Sequence, residues 1–290
     1  MRDGLQNEKT VVPVEVKAEL VRRLVAAGSR SVELTSFVHP RWVPQLADAE
    51  QLLTELGSLR DGPLAEVRAP VLVPNLRGLE RALAHDVREV AVFVSATESF
   101  AQKNLNRTRQ QALDMSAEVV RDATAAAVAV RGYVSMCFGD PWEGDVDLAP
   151  VVEVVRALHD QGCHEISLGD TIGVATAGHV VALLDAIADA GVPRTALAVH
   201  FHDTYGQALA NTLIALQHGI TVVDASAGGL GGCPFAQSAT GNLATEDLVW
   251  MLHGLGIETG LDLERLVQTS VWLSEKMDRP SPSRAVRALG

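Results

Sequence analysis

Two histidines separated by one residue lie at the end of a run of strand-forming residues. His200 and His202 are part of the sequence AVHFHD. Because strand side chains alternate between faces, this spacing puts both imidazoles on the same face, where they can reach one metal ion. Either histidine could instead cap the strand through hydrogen bonds, but the paired spacing favours a metal site.

Oxygen donors that could complete such a site lie in two distant segments. Asp3 is near the beginning of the chain, and Asn242 lies in a loop before a helix predicted to start near Thr245. Two imidazoles with carboxylate and amide oxygens, and no thiolate, favour Mg²⁺ or Mn²⁺ over structural zinc. Asn242 by itself is also a common type of helix cap.

A glycine-rich segment, Gly228–Pro234, follows the last predicted strand and has glycine at four of its first five positions. This composition predicts a mobile loop that could carry Cys233 to a substrate as a proton donor. An ordinary strand-to-helix turn or a phosphate-binding nest is the alternative. Cys137 and Cys163 are predicted to be ordinary buried residues, and three cysteines without a CxxC pattern are no disulfide framework.

Two carboxylates fall inside or at the end of predicted strands. Glu33 lies within Ser31–Phe37, and Asp170 ends Glu165–Asp170. A carboxylate in such a place is costly unless it is paired or bound to a ligand. Each could therefore position Arg2, a histidine or a substrate, and the alternative for each is an internal salt bridge.

The elements that must position these residues alternate along the chain. Seven short apolar runs are predicted as strands: Ser31–Phe37, Arg68–Pro74, Glu89–Ala96, Gly132–Cys137, Glu165–Asp170, Ala196–His202 and Val222–Ala225. Amphipathic segments between them are predicted as helices: Val14–Ala27, Thr108–Val128, Ala149–Gln161, His179–Ala190 and Gln207–His218. Such alternation predicts an α/β fold with a buried parallel sheet.

The predicted architecture is a (β/α)₈ TIM barrel. Seven strands are found, and the eighth is expected to precede Arg2, so the first strand is apparently missing from this chain. A doubly wound open sheet is the alternative, but it needs a topological switch point and usually a glycine-rich first turn. Barrel enzymes carry their functional groups at the carboxyl ends of the strands, where the residues above fall.

Residues 1–290 are interpreted as a single catalytic barrel domain, with a C-terminal helix and tail over about 258–290. That helix is predicted near Asp262–Met277, and the Pro/Ser/Arg-rich stretch Asp278–Gly290 is interpreted as a tail.

The content of 47% hydrophobic residues predicts a globular chain, while the net charge of −12 argues against nucleic acid or anionic lipid as partners. No signal peptide and no run of about 18 apolar residues is found, so a cytoplasmic location without a membrane span is expected.

Several long motifs together resemble the 3-hydroxy-3-methylglutaryl-CoA lyase family, in order and over essentially the whole chain. The motifs are RDGLQNE (2–8), TSFV (35–38) with WVPQ (42–45), ISLGDTIG (166–173), HFHDTYGQ (200–207) and GLGGCP (229–234) with GNLATED (241–247). Related acyltransferases usually have glutamate where this chain has Leu5, and they lack the Gly-Cys-Pro loop. This difference favours the lyase branch.

The resemblance implies a divalent metal held by Asp3, His200, His202 and Asn242. It also implies Arg2 as the electrophilic partner and Cys233 on a mobile loop, so the expected catalytic set is Arg2, Asp3, Cys233, His200 and Asp170. Substrate binding is expected of Gln6, Glu33 and Glu246. For the phosphates of coenzyme A the candidates are Lys103, Asn104, Arg279, Ser283 and Arg284, each of which could instead be an ordinary solvated residue.

The activity implied is cleavage of 3-hydroxy-3-methylglutaryl-CoA to acetyl-CoA and acetoacetate, as in leucine degradation and ketone body metabolism. An acyl-CoA is then the partner, and a homodimer is one expected assembly. Three alternatives stay open: a related lyase or aldolase acting on another 3-hydroxyacyl-CoA, a condensing synthase that uses a 2-oxo acid, and a non-catalytic barrel without its first strand.

Overall fold

Seven parallel strands form the main sheet of the computed structural model, which describes residues 1–232 and 241–290. They are β1 (Thr35–Ser36), β2 (Val71–Leu72), β3 (Glu89–Ser95), β4 (Ala129–Ser135), β7 (Glu165–Asp170), β8 (Leu197–Phe201) and β9 (Val222–Asp224), and a separate antiparallel hairpin consists of β5 (Gly139–Asp140) and β6 (Gly144–Asp145). The order of the main sheet is β1-β2-β3-β4-β7-β8-β9, with every neighbouring pair parallel.

Sequential strand order identifies the architecture. Each strand of the main sheet pairs with the next one along the chain, so the described sheet has no switch point and the doubly wound alternative is excluded. Strand β3 shows why the sheet forms: Val90, Ala91, Val92 and Val94 are buried in succession on both faces, as in parallel sheets covered on both sides. The curled sheet with helices around it confirms the predicted TIM-barrel-like fold.

Twelve helices accompany the strands in the described part of the chain. They are α1 (Arg2–Gln6), α2 (Val14–Ala26), α3 (Ala49–Leu56), α4 (Leu76–Leu83), α5 (Glu98–Leu105), α6 (Arg109–Ala125), α7 (Leu148–Gln161), α8 (Ala177–Asp189), α9 (Ala208–Gln217), α10 (Thr245–Gly254), α11 (Leu263–Met277) and α12 (Arg284–Leu289). Local chemistry sets their ends. Helix α6 begins with a capping box between Thr108 and Gln111, and α7 ends at Gly162 in the left-handed region.

Three local predictions differ from the structure. The stretch after Asp278 is not only a tail, because α12 forms there; the Ser283 side chain accepts a hydrogen bond from the backbone of Val286 at its start. Asp3 lies in the short helix α1, which begins at Arg2, where a preceding strand was expected. Glu33 precedes β1, although the backbone amides of residues 32, 34 and 37 donate hydrogen bonds to the carbonyl oxygens of residues 68, 70 and 72, beyond the two ends of β1.

Among residues 1–232 and 241–290, no helix is both long and apolar enough to cross a bilayer.

Candidate metal centre

Three side chains from α1 and the end of β8 bring their ligand atoms together at the carboxyl end of the sheet. One ligand atom each from Asp3, His200 and His202 lies within 4.8 Å of the other two. The two imidazole centroids are 5.3 Å apart, so both rings lie on one side, as their spacing predicts. His202 directly follows β8 and pairs with Asn242 through an antiparallel bridge, which fixes its backbone.

Asn242 supplies an oxygen that lacks a protein partner. Its Nδ2 donates to Asp3 Oδ2 at 2.8 Å and to the carbonyl oxygen of Leu230 at 2.9 Å. Its Oδ1 is buried and accepts no hydrogen bond from the described residues. A buried carbonyl oxygen without a partner is costly, and a cation would satisfy it. The donors present therefore fit a divalent metal ion, with two imidazoles and two kinds of oxygen.

Asp3 is held as an ionised carboxylate. Its Oδ1 accepts hydrogen bonds from Arg2 Nη1 at 2.8 Å and from Gln6 Nε2 at 3.1 Å. Burial would raise the pKa of Asp3, but the charge of Arg2, the two histidines and the Asn242 amide lower it to about 2. The carboxylate is thus available as an anionic ligand.

The two histidines have opposite electrostatic surroundings. Burial would lower the pKa of His200, but the Asp224 and Asp3 carboxylates raise it above its ordinary value. Burial, together with the charge of His200, lowers the pKa of His202 to about 4. His202 therefore presents a neutral imidazole, which is the form that ligates metals.

Arg2 lies beside this group and is itself buried. Its Nη2 is 2.9 Å from Glu33 Oε2, and its guanidinium carbon is 5.6 Å from the centre of the Tyr133 ring. Arg2 Nε and Glu33 Oε1 are buried and have no hydrogen-bond partner among the described residues. A cation fixed in this way can stabilise negative charge that develops on a substrate, without reorganising first.

Sequence reasoning missed a second layer of charged residues behind His200. Asp224 Oδ2 lies 3.4 Å from His200 Nδ1, and Asp224 Oδ1 lies 2.8 Å from Arg131 Nη2. Arg131 in turn contacts the Tyr133 hydroxyl and Glu165. The sequence did contain an indication of this layer. Asp224 lies in the predicted strand Val222–Ala225, and a carboxylate there would be costly without a partner.

Asp170 is buried but does not join the ligand group. Its Oδ1 accepts from the backbone N–H of Val174 at 2.9 Å, and its Oδ2 from that of Ala175 at 3.0 Å. Burial raises the pKa of Asp170 to about 6. The contacts show a carboxylate that organises the loop after β7.

Glu246 is also buried away from the ligand group. Both of its carboxylate oxygens accept from the backbone N–H of Gly228, at 3.1 and 2.9 Å, and Ser270 Oγ donates to Oε1 at 2.5 Å. Burial raises the pKa of Glu246 to about 7. Since Gly228 also accepts a bond from Ser281 Oγ, the backbone at the beginning of the glycine-rich segment is held from two sides.

The residues predicted to bind coenzyme A lie apart from one another. Lys103 and Asn104 are exposed on α5, with Lys103 Nζ 4.9 Å from the centre of the Trp142 ring. Arg279 pairs with Glu8.

The two remaining candidates lie at the start of α12. Ser283 is buried, and its hydroxyl donates to Asp247 Oδ1 at 2.7 Å while it caps the helix. Arg284 is largely exposed and lies 3.2 Å from Asp203 Oδ2. Both residues thus have partners within the protein.

The cysteines divide into described and undescribed positions. Cys233, predicted to donate a proton, lies outside the described residues. Cys137 and Cys163 are buried, as predicted. Burial raises the pKa of both thiols, that of Cys163 to about 12, so neither supplies a thiolate near neutral pH.

Comparison with known proteins gives one consistent result. A family model described as HMGL-like matches residues 1–272. The mitochondrial hydroxymethylglutaryl-CoA lyase of Arabidopsis thaliana is 52% identical over 288 residues, which cover 99% of this chain but 60% of that protein's length. The solved hydroxymethylglutaryl-CoA lyase of Pseudomonas aeruginosa is 47% identical with a TM-score of 0.94, over 99% of this chain and 94% of that one.

A solved relative from Acinetobacter baumannii is described as an HMG-CoA lyase in complex with coenzyme A and 3-methylmalate. It is 35% identical with a TM-score of 0.92, over 99% of this chain and 92% of its own. The plant and animal relatives are named as mitochondrial enzymes. These names contradict the cytoplasmic location predicted from the sequence, which is therefore wrong by this comparison.

Proposed function

This chain belongs to the HMGL-like family, the family of the hydroxymethylglutaryl-CoA lyases, and we propose that it cleaves 3-hydroxy-3-methylglutaryl-CoA into acetoacetate and acetyl-CoA. One observation carries the proposal within the structure. The ligand atoms of Asp3, His200 and His202 converge, and the buried guanidinium of Arg2 lies against Asp3. A cation site and a fixed positive charge are what a carbon–carbon cleavage that leaves an enolate requires.

The proposed metal ligands are Asp3, His200, His202 and Asn242, with Mg²⁺ or Mn²⁺ as the cation. A cation held there supplies Lewis acidity that lowers the pKa of a nearby substrate hydroxyl. The unpartnered Oδ1 of Asn242 supports its place among the ligands. Gln6 supports the same site from outside, because its amide holds Asp3 Oδ1.

The protein's own groups have two tasks in the cleavage. Asp3 is the proposed acceptor for the proton of the tertiary hydroxyl. His200, the other expected base, has no free lone pair when one ring nitrogen ligates a cation and the other carries a proton. As the proton leaves, the hydroxyl carbon becomes a ketone and the adjacent carbon–carbon bond breaks. The bonding electrons pass to the acetyl thioester as an enolate. Arg2 is the proposed donor to the thioester oxygen, and a fixed donor of this type contributes about 3 to 4 kcal/mol.

The last proton goes to the enolate carbon of the departing acetyl-CoA. Cys233 is the proposed donor on the strength of the sequence alone, since it lies outside the described residues. For the coenzyme A phosphates, Lys103 is the favoured candidate of the five residues. Arg279 and Arg284 pair with acidic side chains, whereas Lys103 belongs to no ion pair in the ranges 1–232 and 241–290.

The test is a product assay with control of the metal. Purified protein treated with chelator should release no acetoacetate from 3-hydroxy-3-methylglutaryl-CoA, and added Mg²⁺ or Mn²⁺ should restore release. Asn242→Ala should need more metal for half-maximal activity, while Gln110→Ala, at an exposed position of α6, should not. Full activity in the metal-free protein would refute the proposed site, and the absence of acetoacetate with either metal would refute the substrate.

A second substrate is favoured by one comparison. The relative solved with coenzyme A and 3-methylmalate suggests a smaller branched hydroxydicarboxylate, as its coenzyme A thioester, as a competing substrate for this chain. Steady-state kcat/KM for both thioesters on the same preparation decides between them. A higher value for the 3-methylmalate thioester would replace the first proposal while keeping the metal site.

A further inference from the structure

Asp224, the last residue of β9, lies directly beside His200 in the sheet. The two residues are register partners across β8 and β9, so their side chains share a face. Asp224 Oδ2 is 3.4 Å from His200 Nδ1, and Asp3 Oδ2 is 3.9 Å from His200 Nε2. The imidazole of His200 therefore lies between two carboxylates, one at each ring nitrogen.

The Asp224 carboxylate is fixed in place by two donors. Its Oδ1 accepts from Arg131 Nη2 at 2.8 Å, and its Oδ2 accepts from Ser167 Oγ at 2.8 Å. Arg131 is buried and is held by Glu165 Oε1 at 2.7 Å and by the Tyr133 hydroxyl at 3.0 Å. Because Arg131 is held from two further directions, it also holds Asp224 Oδ1, and a carboxylate that turned away from His200 would break this buried contact.

Asp224 lies on the opposite side of the His200 ring from the candidate ligands. The group of converging ligand atoms consists of Asp3, His200 and His202, and Asp224 contacts the nitrogen that faces away from Asp3. A neutral imidazole carries its single proton on one nitrogen and ligates a metal through the other. A carboxylate at Nδ1 favours the proton there and leaves the lone pair of Nε2 directed toward Asp3.

We propose that Asp224 is a positioning residue that keeps the proton of His200 on Nδ1, so that Nε2 is free to bind a cation. Arg131 and Ser167 hold the carboxylate in the orientation that this requires. The inference rests on the proposed function, since it concerns the metal site of that function.

The direct test is Asp224→Asn. An amide has one acceptor oxygen, and the Arg131 cation must take it, which turns the NH₂ group toward His200. The amide then donates to Nδ1, so the ring proton moves to Nε2. The imidazole is then in the tautomer that cannot ligate a cation through Nε2. Calorimetric titration should show Mn²⁺ binding weakened roughly 10- to 100-fold. Nitrogen-15 NMR of the metal-free protein should show the protonated nitrogen of His200 changed from Nδ1 to Nε2.

Controls separate positioning from a structural role. Asp122→Asn removes the charge of a half-exposed aspartate that pairs with Arg121, and it should leave Mn²⁺ affinity unchanged. A folded Asp224→Asn protein with normal Mn²⁺ affinity and an unchanged His200 tautomer would overturn the proposal. Lower stability of that variant with the same tautomer would also overturn it, because a purely structural contact predicts that result.

The wild-type protein provides a test that needs no folded variant at position 224. At alkaline pH and without metal, His200 should carry its proton on Nδ1, with its signals identified by their loss in His200→Asn. A proton on Nε2 overturns the inference. Wild-type protein that binds no Mn²⁺ overturns the proposed metal site instead, and the tautomer then still reports whether Asp224 orients the ring.

Discussion

The contacts of Arg2 fix this side chain in the orientation that its proposed role as a cation beside the substrate requires. Its Nη1 contacts Asp3 and Gln6, and its Nη2 contacts Glu33. These contacts fix the guanidinium plane and leave Nε buried without a partner among the described residues.

Arg2→Gln should therefore lower kcat by about 100- to 1,000-fold, the usual cost of losing one fixed donor to a developing anion. Mn²⁺ affinity should change far less, because Asp3 keeps its hydrogen bonds from Gln6 and Asn242. Steady-state kinetics and calorimetric titration measure the two effects separately. A loss of Mn²⁺ binding as large as the loss of kcat would assign Arg2 to the metal site. Arg121→Gln, an exposed arginine, is the matched control.

The buried carboxyl group of Glu246 should make the free energy of unfolding depend on pH. Burial raises its pKa to about 7 from an ordinary value of 4.5, so between these pH values the folded protein holds a proton that the unfolded chain has released. The stabilisation is complete below pH 4.5 and is lost as the pH rises through 7. Relative to Glu246→Gln, the free energy of unfolding of the wild type should fall by up to roughly 3 kcal/mol over this interval. Urea denaturation at several pH values measures it, and a constant difference would contradict the prediction.

At the scale of elements, the strands were predictable because their apolar runs are bounded by polar residues and glycines. The His200 and His202 pair was predictable for the same local reason, since strand periodicity alone sets the direction of both rings. Helix α12 was not, because its cap Ser283 is secured by Asp247, more than thirty positions away in the chain. Asp224 was missed since its meaning depends on a register that only the folded sheet shows.

The capping box of α6 can be tested by itself. Thr108→Ala removes the oxygen that accepts from the backbone N–H of Gln111 and should lower the free energy of unfolding by about 1 kcal/mol. Thr124→Ala, at an exposed position of the same helix, should leave the free energy unchanged or raise it slightly. Equal losses in both variants would show that the effect is not due to the cap.

At the scale of the whole molecule, charged residues join the strands at the end of the sheet opposite to the site. Arg68 contacts Glu89 Oε1 at 2.6 Å and Glu165 Oε1 at 3.3 Å, and both carboxylates are buried. Burial would raise the pKa of Glu89, but bonds from His164 and Arg68 lower it to about 2. The stabilisation from Glu89 is therefore present above its ordinary pKa and is lost as the pH falls toward 2.

Arg68→Gln should leave two buried carboxylates with less compensation and should lower the free energy of unfolding by about 2 to 4 kcal/mol. The side chain of Arg68 is 41% exposed, which places the expected loss below that of a fully buried pair. Arg121→Gln, which breaks an exposed pair with Asp122, should cost less than about 1 kcal/mol. Denaturant unfolding of both variants at neutral pH measures the difference. Equal costs would show that the network contributes no more than a surface contact.

The hydrogen bond between Asn242 and Asp3 joins residues that are 239 positions apart in the chain. During synthesis on the ribosome, Asp3 emerges long before Asn242 exists, so a nascent chain cannot assemble the four proposed ligands. Loading of the proposed metal site must then follow the translation of residue 242. A cation that bridges these two residues would also cross-link the fold, because it closes a loop that contains nearly all the described strands. Such a cross-link opposes the separation of the first helix from the last strands.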